Sequence, residues 1–93
     1  MDIDPFDAKA QAGLGRLALR RKDTPTALRA FRSALGANPQ DRVSAHTDLA
    51  EALFMAGQLR EAKTETLSAL EIAPTFDRAL DLLLKINDAG GGA

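Results

Sequence analysis

The chain has 93 residues, enough for one small domain with a single hydrophobic core. Apolar residues make up 45% and charged residues 27%, and the net charge of −1 gives no reason to expect a nucleic-acid or anionic-membrane ligand. The absence of cysteine excludes disulfides, thiolate metal sites and thiol nucleophiles. With one valine and four aromatic residues, the interior must consist mainly of alanine and leucine, which favours an all-α fold.

No apolar run approaches the roughly 20 residues that a transmembrane helix needs. The acidic segment MDIDPFDAK also lacks the apolar stretch of a signal peptide. We therefore expect no membrane association. The lack of cysteine is equally compatible with the cytoplasm and the periplasm, so the sequence does not identify the compartment.

The first helix is predicted from Asp7 to about Arg21. The Asp7 carboxylate can accept a hydrogen bond from a first-turn N–H, which makes it a good N-cap. Gly13 and Gly15 each weaken this helix by about 1 kcal/mol relative to alanine. A glycine in a packed helix also lets another backbone approach, and Gly15 lies where the neighbouring helix should cross. We therefore expect a close contact at Gly15.

Four further helices follow, each with its own boundary signals. Thr24 is expected to cap the second helix, with Pro25 at its first position. Asp41 should cap the third helix, and Gly57 can adopt the left-handed conformation past its end. Thr75 should cap the fifth helix. The four helices are predicted over residues 25–37, 42–56, 58–73 and 76–88.

These helices form an internal repeat. Pro5, Pro39 and Pro74 are spaced by 34 and 35 residues. The apolar positions that match with this step are Ala27 with Ala62, Ala34 with Ala69, Leu35 with Leu70, and Leu14 with Leu49 and Leu83. A single hairpin cannot bury its apolar stripe, so such units stack on neighbours of their own kind. Residues 1–5 match the end of a repeat, so we expect the natural protein to continue upstream; a frayed acidic tail is the alternative.

The repeated pattern resembles the tetratricopeptide repeat (TPR), a helical hairpin of about 34 residues. The resemblance rests on a leucine followed by a small residue, a glycine at the turn, two alanines seven residues apart and a final proline. The second repeat carries Leu49, Ala50, Leu53, Gly57, Ala62, Ala69, Leu70 and Pro74. The first repeat carries Leu14, Gly15, Ala27, Phe31, Ala34, Leu35 and Pro39.

The resemblance implies an all-α superhelix of antiparallel hairpins with five helices. The implied units are a repeat tail or N-terminal extension at 1–7, repeats at 8–42 and 43–76, a capping helix at 77–88 and a flexible tail at 89–93. The departures from the family pattern are Gln11 and His46 in the tryptophan position, Lys22 at the turn and Thr66 in the aromatic position. The 35-residue step is also similar to pentatricopeptide RNA-binding repeats, but the alanine pair and final proline favour TPR.

In TPR proteins the first helix of each hairpin lines a concave groove that receives a peptide or a partner helix. The groove residues that the resemblance implies are Arg16, Arg20, Thr47, Glu51, Phe54, Met55, Asp81 and Lys85. Phe54 and Met55 are adjacent on one helix and cannot both face its own hairpin. Either they anchor a partner or a neighbouring repeat buries one of them.

Chaperone-binding members of the family hold two carboxylates in a clamp of five residues. The corresponding positions here are Ala12, Arg16, Asp48, Arg78 and Leu82. Asp48 and Leu82 do not fit this clamp, so the resemblance does not imply binding of an Asp-terminated chaperone tail.

No catalytic or metal-binding motif is present. His46 is the single histidine and lies in a helix-packing position, so a structural role is expected. The carboxylate pairs Glu61/Glu65 and Asp77/Asp81 could tune each other's pKa or bind a divalent ion, but they lie on outward helix faces and are expected to be solvated. We therefore expect no enzymatic activity, no metal and no cofactor.

The charge is unevenly distributed along the chain. Residues 8–42 contain eight basic and two acidic side chains, a local +6, whereas residues 43–76 contain two basic and five acidic side chains, a local −3. This dipole could steer a partner or join copies of the chain head to tail. The expected function is a protein–protein interaction module, with homo-oligomers possible. The alternatives are a spacer or docking segment of a larger enzyme, such as a bacterial hydrolase or peptidase, and RNA binding by the basic first repeat.

Overall fold

The computed structural model describes residues 7–37 and 39–90. Its five helices are α1 (Ala8–Arg20), α2 (Thr24–Gly36), α3 (Arg42–Met55), α4 (Leu59–Ile72) and α5 (Asp77–Ala89). Within these described ranges there is no strand, so the all-α fold with five helices is confirmed. The repeat remnant expected at residues 1–5 and the glycines after Gly90 lie outside the described residues. Ala89, expected in a flexible tail, belongs to α5.

The helices stack as two hairpins and a final single helix. α1 packs on α2 and α3 packs on α4, while α2 packs on α3 and α4 packs on α5. α1 also touches α3, and α3 touches α5. The odd-numbered helices therefore form one face of the stack, which measures 48 × 27 × 17 Å along its principal axes.

Small residues dominate the core, as the composition predicts. Phe31 and Leu53 are the largest apolar side chains that are almost fully buried. The alanines at 27, 50, 62 and 69 are completely buried. Because alanine adds little bulk, the backbones of neighbouring helices can approach closely along the stack.

The close contact expected at Gly15 is confirmed. A Cβ atom built on Gly15 would lie 2.5 Å from Cε1 of Phe31 and 2.8 Å from its Cζ. Gly13, two residues away, has nothing within 4 Å of the same position. Gly15 is therefore required by the α1–α2 crossing, whereas Gly13 only weakens the helix.

Two of the four predicted N-caps are confirmed. Asp7 accepts a hydrogen bond from the Lys9 N–H at 2.9 Å, and Asp41 accepts one from the Ser44 N–H at 3.0 Å. The expected cap Thr24 is wrong, because the acidic residue just before it takes this role. That residue, Asp23, accepts from the Thr26 N–H at 3.4 Å, and Thr24 becomes the first residue of the helix.

The expected cap Thr75 is also wrong. The residue that precedes α5 is Phe76, which offers no side-chain acceptor to the first turn. The Phe76 N–H donates to the Ala73 carbonyl at 3.1 Å, and this hydrogen bond closes the turn before α5. Thr75 therefore lies one residue too early to cap α5.

The turns after α1 and α3 share one geometry. Gly57 has a φ of +80°, which confirms its left-handed conformation, and Lys22 has a φ of 60° at the equivalent position. In both turns the next N–H reaches back five residues: Asp23 donates to the Ala18 carbonyl and Gln58 donates to the Leu53 carbonyl. This pairing is typical of the Schellman motif that ends many helices.

Candidate functional site

A stripe of three polar residues and one methionine, called here the α3 stripe, runs along the open side of α3. Ser44, Asp48, Glu51 and Met55 follow one another by four, three and four residues, so they share one helix face. Asp48 is buried in the middle of this stripe. The stripe is the structural centre of the face that α1, α3 and α5 form together.

Asp48 joins three helices through two arginines. Nη2 of Arg16 on α1 donates to Oδ2 of Asp48 at 3.1 Å, and Nη2 of Arg78 on α5 donates to Oδ1 at 2.7 Å. Arg78 also lies 3.4 Å from the Glu51 carboxylate. Each carboxylate oxygen of Asp48 thus has a charged donor, which offsets the cost of burying the charge.

The arginine side chains are only partly covered by the protein. Their exposed fractions are 57% for Arg16 and 43% for Arg78. Each guanidinium has five N–H donors, so contact with Asp48 leaves further donors for a ligand. Burial by itself would lower the pKa of Arg78, but its hydrogen bond to Asp48 and the attraction of Asp48 and Glu51 outweigh that effect and raise the pKa above its ordinary value. Arg78 therefore stays charged across the physiological range.

A groove of about 810 Å³ opens between the N-terminal parts of α1 and α3. Its walls include Lys9, Ala12, Arg16, Ser44 and Asp48.

The hydroxyl of Ser44 donates to the second oxygen of the cap Asp41 at 2.7 Å. This hydrogen bond and the one from the Ser44 backbone hold the pKa of Asp41 below its ordinary value, so a negative charge is fixed at the groove's edge.

Met55 and Phe54 lie in different environments, although both are expected in the groove. Met55 is 52% exposed at the C-terminal end of the α3 stripe. Phe54 is partly buried and packs against the hydrophobic core, which includes Leu49 and Leu53. The structure therefore leaves Met55 as the accessible apolar side chain of this pair.

Thr47 does not belong to the groove. It is completely buried, and its hydroxyl donates to the Val43 carbonyl at 2.8 Å within the same helix. The expectation that Thr47 lines a binding surface is wrong, because its position on α3 faces the packed interior. Its polar atom is satisfied by the backbone and offers nothing to a partner.

The remaining expected groove residues are accessible. Arg20 on α1 and Asp81 and Lys85 on α5 are exposed. Asp81 and Lys85 follow Arg78 by three and seven residues, so they share the helix face that reaches towards α3. The structure thus brings Arg16, Glu51, Met55 and the α5 residues to one side of the stack.

His46 links the helices of the second hairpin. Its Nδ1 atom lies 2.8 Å from Oε1 of Glu65 on α4. Glu65 was expected to be solvated, and this is wrong: the His46 contact leaves its side chain only 24% exposed. Glu61, the other member of that pair, lies 3.4 Å from Arg32 on α2.

A family model described as tetratricopeptide repeat matches residues 18–86, most of the chain. The chain belongs to the TPR family. A comparison of the sequence with curated proteins found no match. The bounds of the individual repeats stay a prediction, since the match covers them as one region.

Family membership carries a general role. TPR domains mediate protein–protein interaction, and the family is typically a non-catalytic scaffold. Within residues 7–37 and 39–90, no three histidine or acidic side chains are arranged to hold a metal ion. No helix in the described part of the chain has both the length and the apolarity needed to cross a membrane.

Sequence reasoning missed the buried role of Asp48. The comparison with the chaperone clamp places Arg16, Asp48 and Arg78 on one face, so the sequence already indicated that these three side chains could meet. An acidic residue between two arginines on a shared face is a candidate for ion pairing. What a single sequence does not show is that the side chains of α1 and α5 both reach across to α3.

Proposed function

We propose that the face formed by α1, α3 and α5 binds a short segment of another protein. The observation that carries this proposal is the α3 stripe, in which the exposed Met55 continues directly from Asp48 and Glu51. A partly exposed apolar side chain beside fixed charges is a common basis for an anchored contact.

The charge balance argues for the kind of segment. Arg16 and Arg78 face the carboxylates of Asp48 and Glu51, so this part of the face is close to neutral. A ligand would therefore gain hydrogen bonds from the guanidinium groups rather than a strong net attraction to positive charge. This favours a peptide of mixed composition with an apolar anchor over a strongly acidic tail.

The stripe also suggests the length of the segment. Ser44 and Met55 are eleven positions apart, which at a helical rise of about 1.5 Å corresponds to about 16 Å. An extended peptide covers that distance with about five residues. The groove beside Arg16 would receive one end of such a peptide, and Met55 would contact the other.

Selection from a displayed library of random short peptides tests this proposal. We expect the selected peptides to share an apolar residue. Their affinity for the Met55→Ala variant should be at least about tenfold lower than for the wild type, which corresponds to a loss of about 1.4 kcal/mol of binding free energy. Affinities would be measured by isothermal titration calorimetry.

Leu67→Ala is the matched control. Leu67 is an exposed leucine on α4, away from the α1–α3–α5 face, so this variant should bind the selected peptides like the wild type. Peptides that bind Met55→Ala unchanged would contradict the anchor. Failure to select any peptide would instead favour a spacer or docking segment without a ligand of its own.

A further inference from the structure

Two exposed leucine pairs lie on the first and the last helix of the stack. On α5, Leu80 and Leu84 are exposed and separated by four residues. On α1, Leu14 and Leu17 are exposed and separated by three residues. Each pair therefore forms a short apolar stripe on one helix face. We call these surfaces the α5 stripe and the α1 stripe.

The α5 stripe is not shaped for another hairpin helix of the same kind. In α1 and α3, the positions that follow the repeated leucines are Gly15 and Ala50, and both are buried. The equivalent position in α5, one repeat after Ala50, is Leu84, whose side chain is 64% exposed. A leucine is too large for the close crossing that Gly15 makes with Phe31, so a different surface would suit this stripe better.

The borders of the two stripes carry opposite charges. Asp77, Asp81 and Asp88 lie three or four residues from Leu80 or Leu84, so they flank the α5 stripe.

Arg20 and Arg21 lie three and four residues beyond Leu17, so they flank one end of the α1 stripe. Among the described residues, none of these five charges takes part in an ion pair of its own chain.

We propose that the α5 stripe of one copy of this chain packs on the α1 stripe of a second copy. The leucine pairs would meet, and the aspartates of α5 would face the arginines of α1. Contact between two α5 stripes would instead bring aspartates together, which like-charge repulsion disfavours. The contact is therefore head to tail and uses two different surfaces. Its leucine pairs do not include the Met55 anchor proposed above, but Arg20 and Asp81 lie beside both surfaces.

A small apolar contact with charged borders is expected to be weak and sensitive to salt. Sedimentation velocity of the 93-residue chain should show an average mass that rises above 9.9 kDa as concentration increases to about 1 mM, where pairs with a Kd of that order half-associate. Higher salt should lower the average mass at fixed concentration. A chain that stays at 9.9 kDa throughout, or association that salt strengthens, would overturn the proposal.

Two single-face variants make the test specific. Leu84→Lys places a positive charge opposite the arginines, and Leu17→Glu places a negative charge opposite the aspartates. Each variant alone should remain monomeric. Mixed in equal amounts, they should form a heterodimer, because each retains the intact surface that the other lacks. Self-association of Leu17→Glu alone, or no heterodimer on mixing, would contradict the head-to-tail contact.

Leu67→Glu on α4 is the matched control for Leu17→Glu. The two leucines are 43% and 42% exposed, so the substitutions remove similar exposed apolar surface and add the same charge. The control should associate like the wild type. Equal loss of association in both variants would show that added charge, rather than the α1 stripe, controls the behaviour. Circular dichroism of each variant should match the wild type, which separates loss of contact from loss of fold.

Discussion

The two hairpins solve the same packing problem with different side chains. In the first, Gly15 on α1 leaves room for the Phe31 ring on α2. In the second, the residues 35 positions later are Ala50 and Thr66, and both are completely buried. The pair of a very small and a large residue is replaced by two residues of modest size.

This difference shows what is constant in the repeat. A crossing between two helices requires a fitting combined volume, and several pairs of residues can supply it. Thr66 also carries a hydroxyl into the core, where it donates to the Ala62 carbonyl at 2.7 Å. The second hairpin therefore buries a hydrogen-bonded threonine at the position where the family pattern has an aromatic residue.

Gly15→Ala should break the first crossing and have the largest effect. The added methyl group would lie 2.5 Å from the Phe31 ring, so we expect the free energy of unfolding to fall by about 1–3 kcal/mol despite alanine's better helix propensity. Urea denaturation monitored by circular dichroism measures this change.

Gly13→Ala is the control on the same helix. Its new methyl group has no neighbour within 4 Å, so it should raise stability by up to about 1 kcal/mol through helix propensity alone. Equal effects of the two substitutions would show that the contact with Phe31 does not limit the crossing.

The second difference between the hairpins lies in their turn residues, and exchanging these residues tests it. Lys22 and Gly57 both adopt positive φ values, which cost a non-glycine residue about 1–2 kcal/mol. Lys22→Gly should therefore raise the melting temperature, and Gly57→Lys should lower it. A decrease with Lys22→Gly would mean that the lysine side chain stabilises the turn by more than its backbone costs.

The third difference lies at the start of α2 and α4, and it should have the smallest effect. Asp23 caps α2 with its carboxylate, whereas the equivalent Gln58 makes no side-chain hydrogen bond at the start of α4. Gln58→Asp should add about 0.5–1 kcal/mol at neutral pH. A cap hydrogen bond lowers the carboxylate pKa in the folded state, so this gain should be present above the ordinary pKa and lost as the pH falls through the lowered value. Thermal melts across that pH range measure the gain, and an unchanged melting temperature at pH 7 would argue against a cap at this position.

Several expectations rested on local signals, and these were mostly confirmed. The cap at Asp7 and the left-handed Gly57 each follow from one helix and its immediate ends. The errors at Thr24 and Thr75 were shifts of one residue in where a helix begins. Local hydrogen bonding sets such features within a few residues, so a single sequence contains nearly all the information needed.

The repeat, the five helices and the small residues at their crossings could all be predicted from the sequence, because helical periodicity and capping depend on nearby residues. Which polar side chains are buried depends instead on how the helices pack against one another. Asp48 and Thr47 are neighbours on α3, yet one collects two arginines from distant helices and the other turns to its own backbone. That outcome depends on how α1 and α5 lie against α3, since the partners come from residues about 30 positions away in either direction.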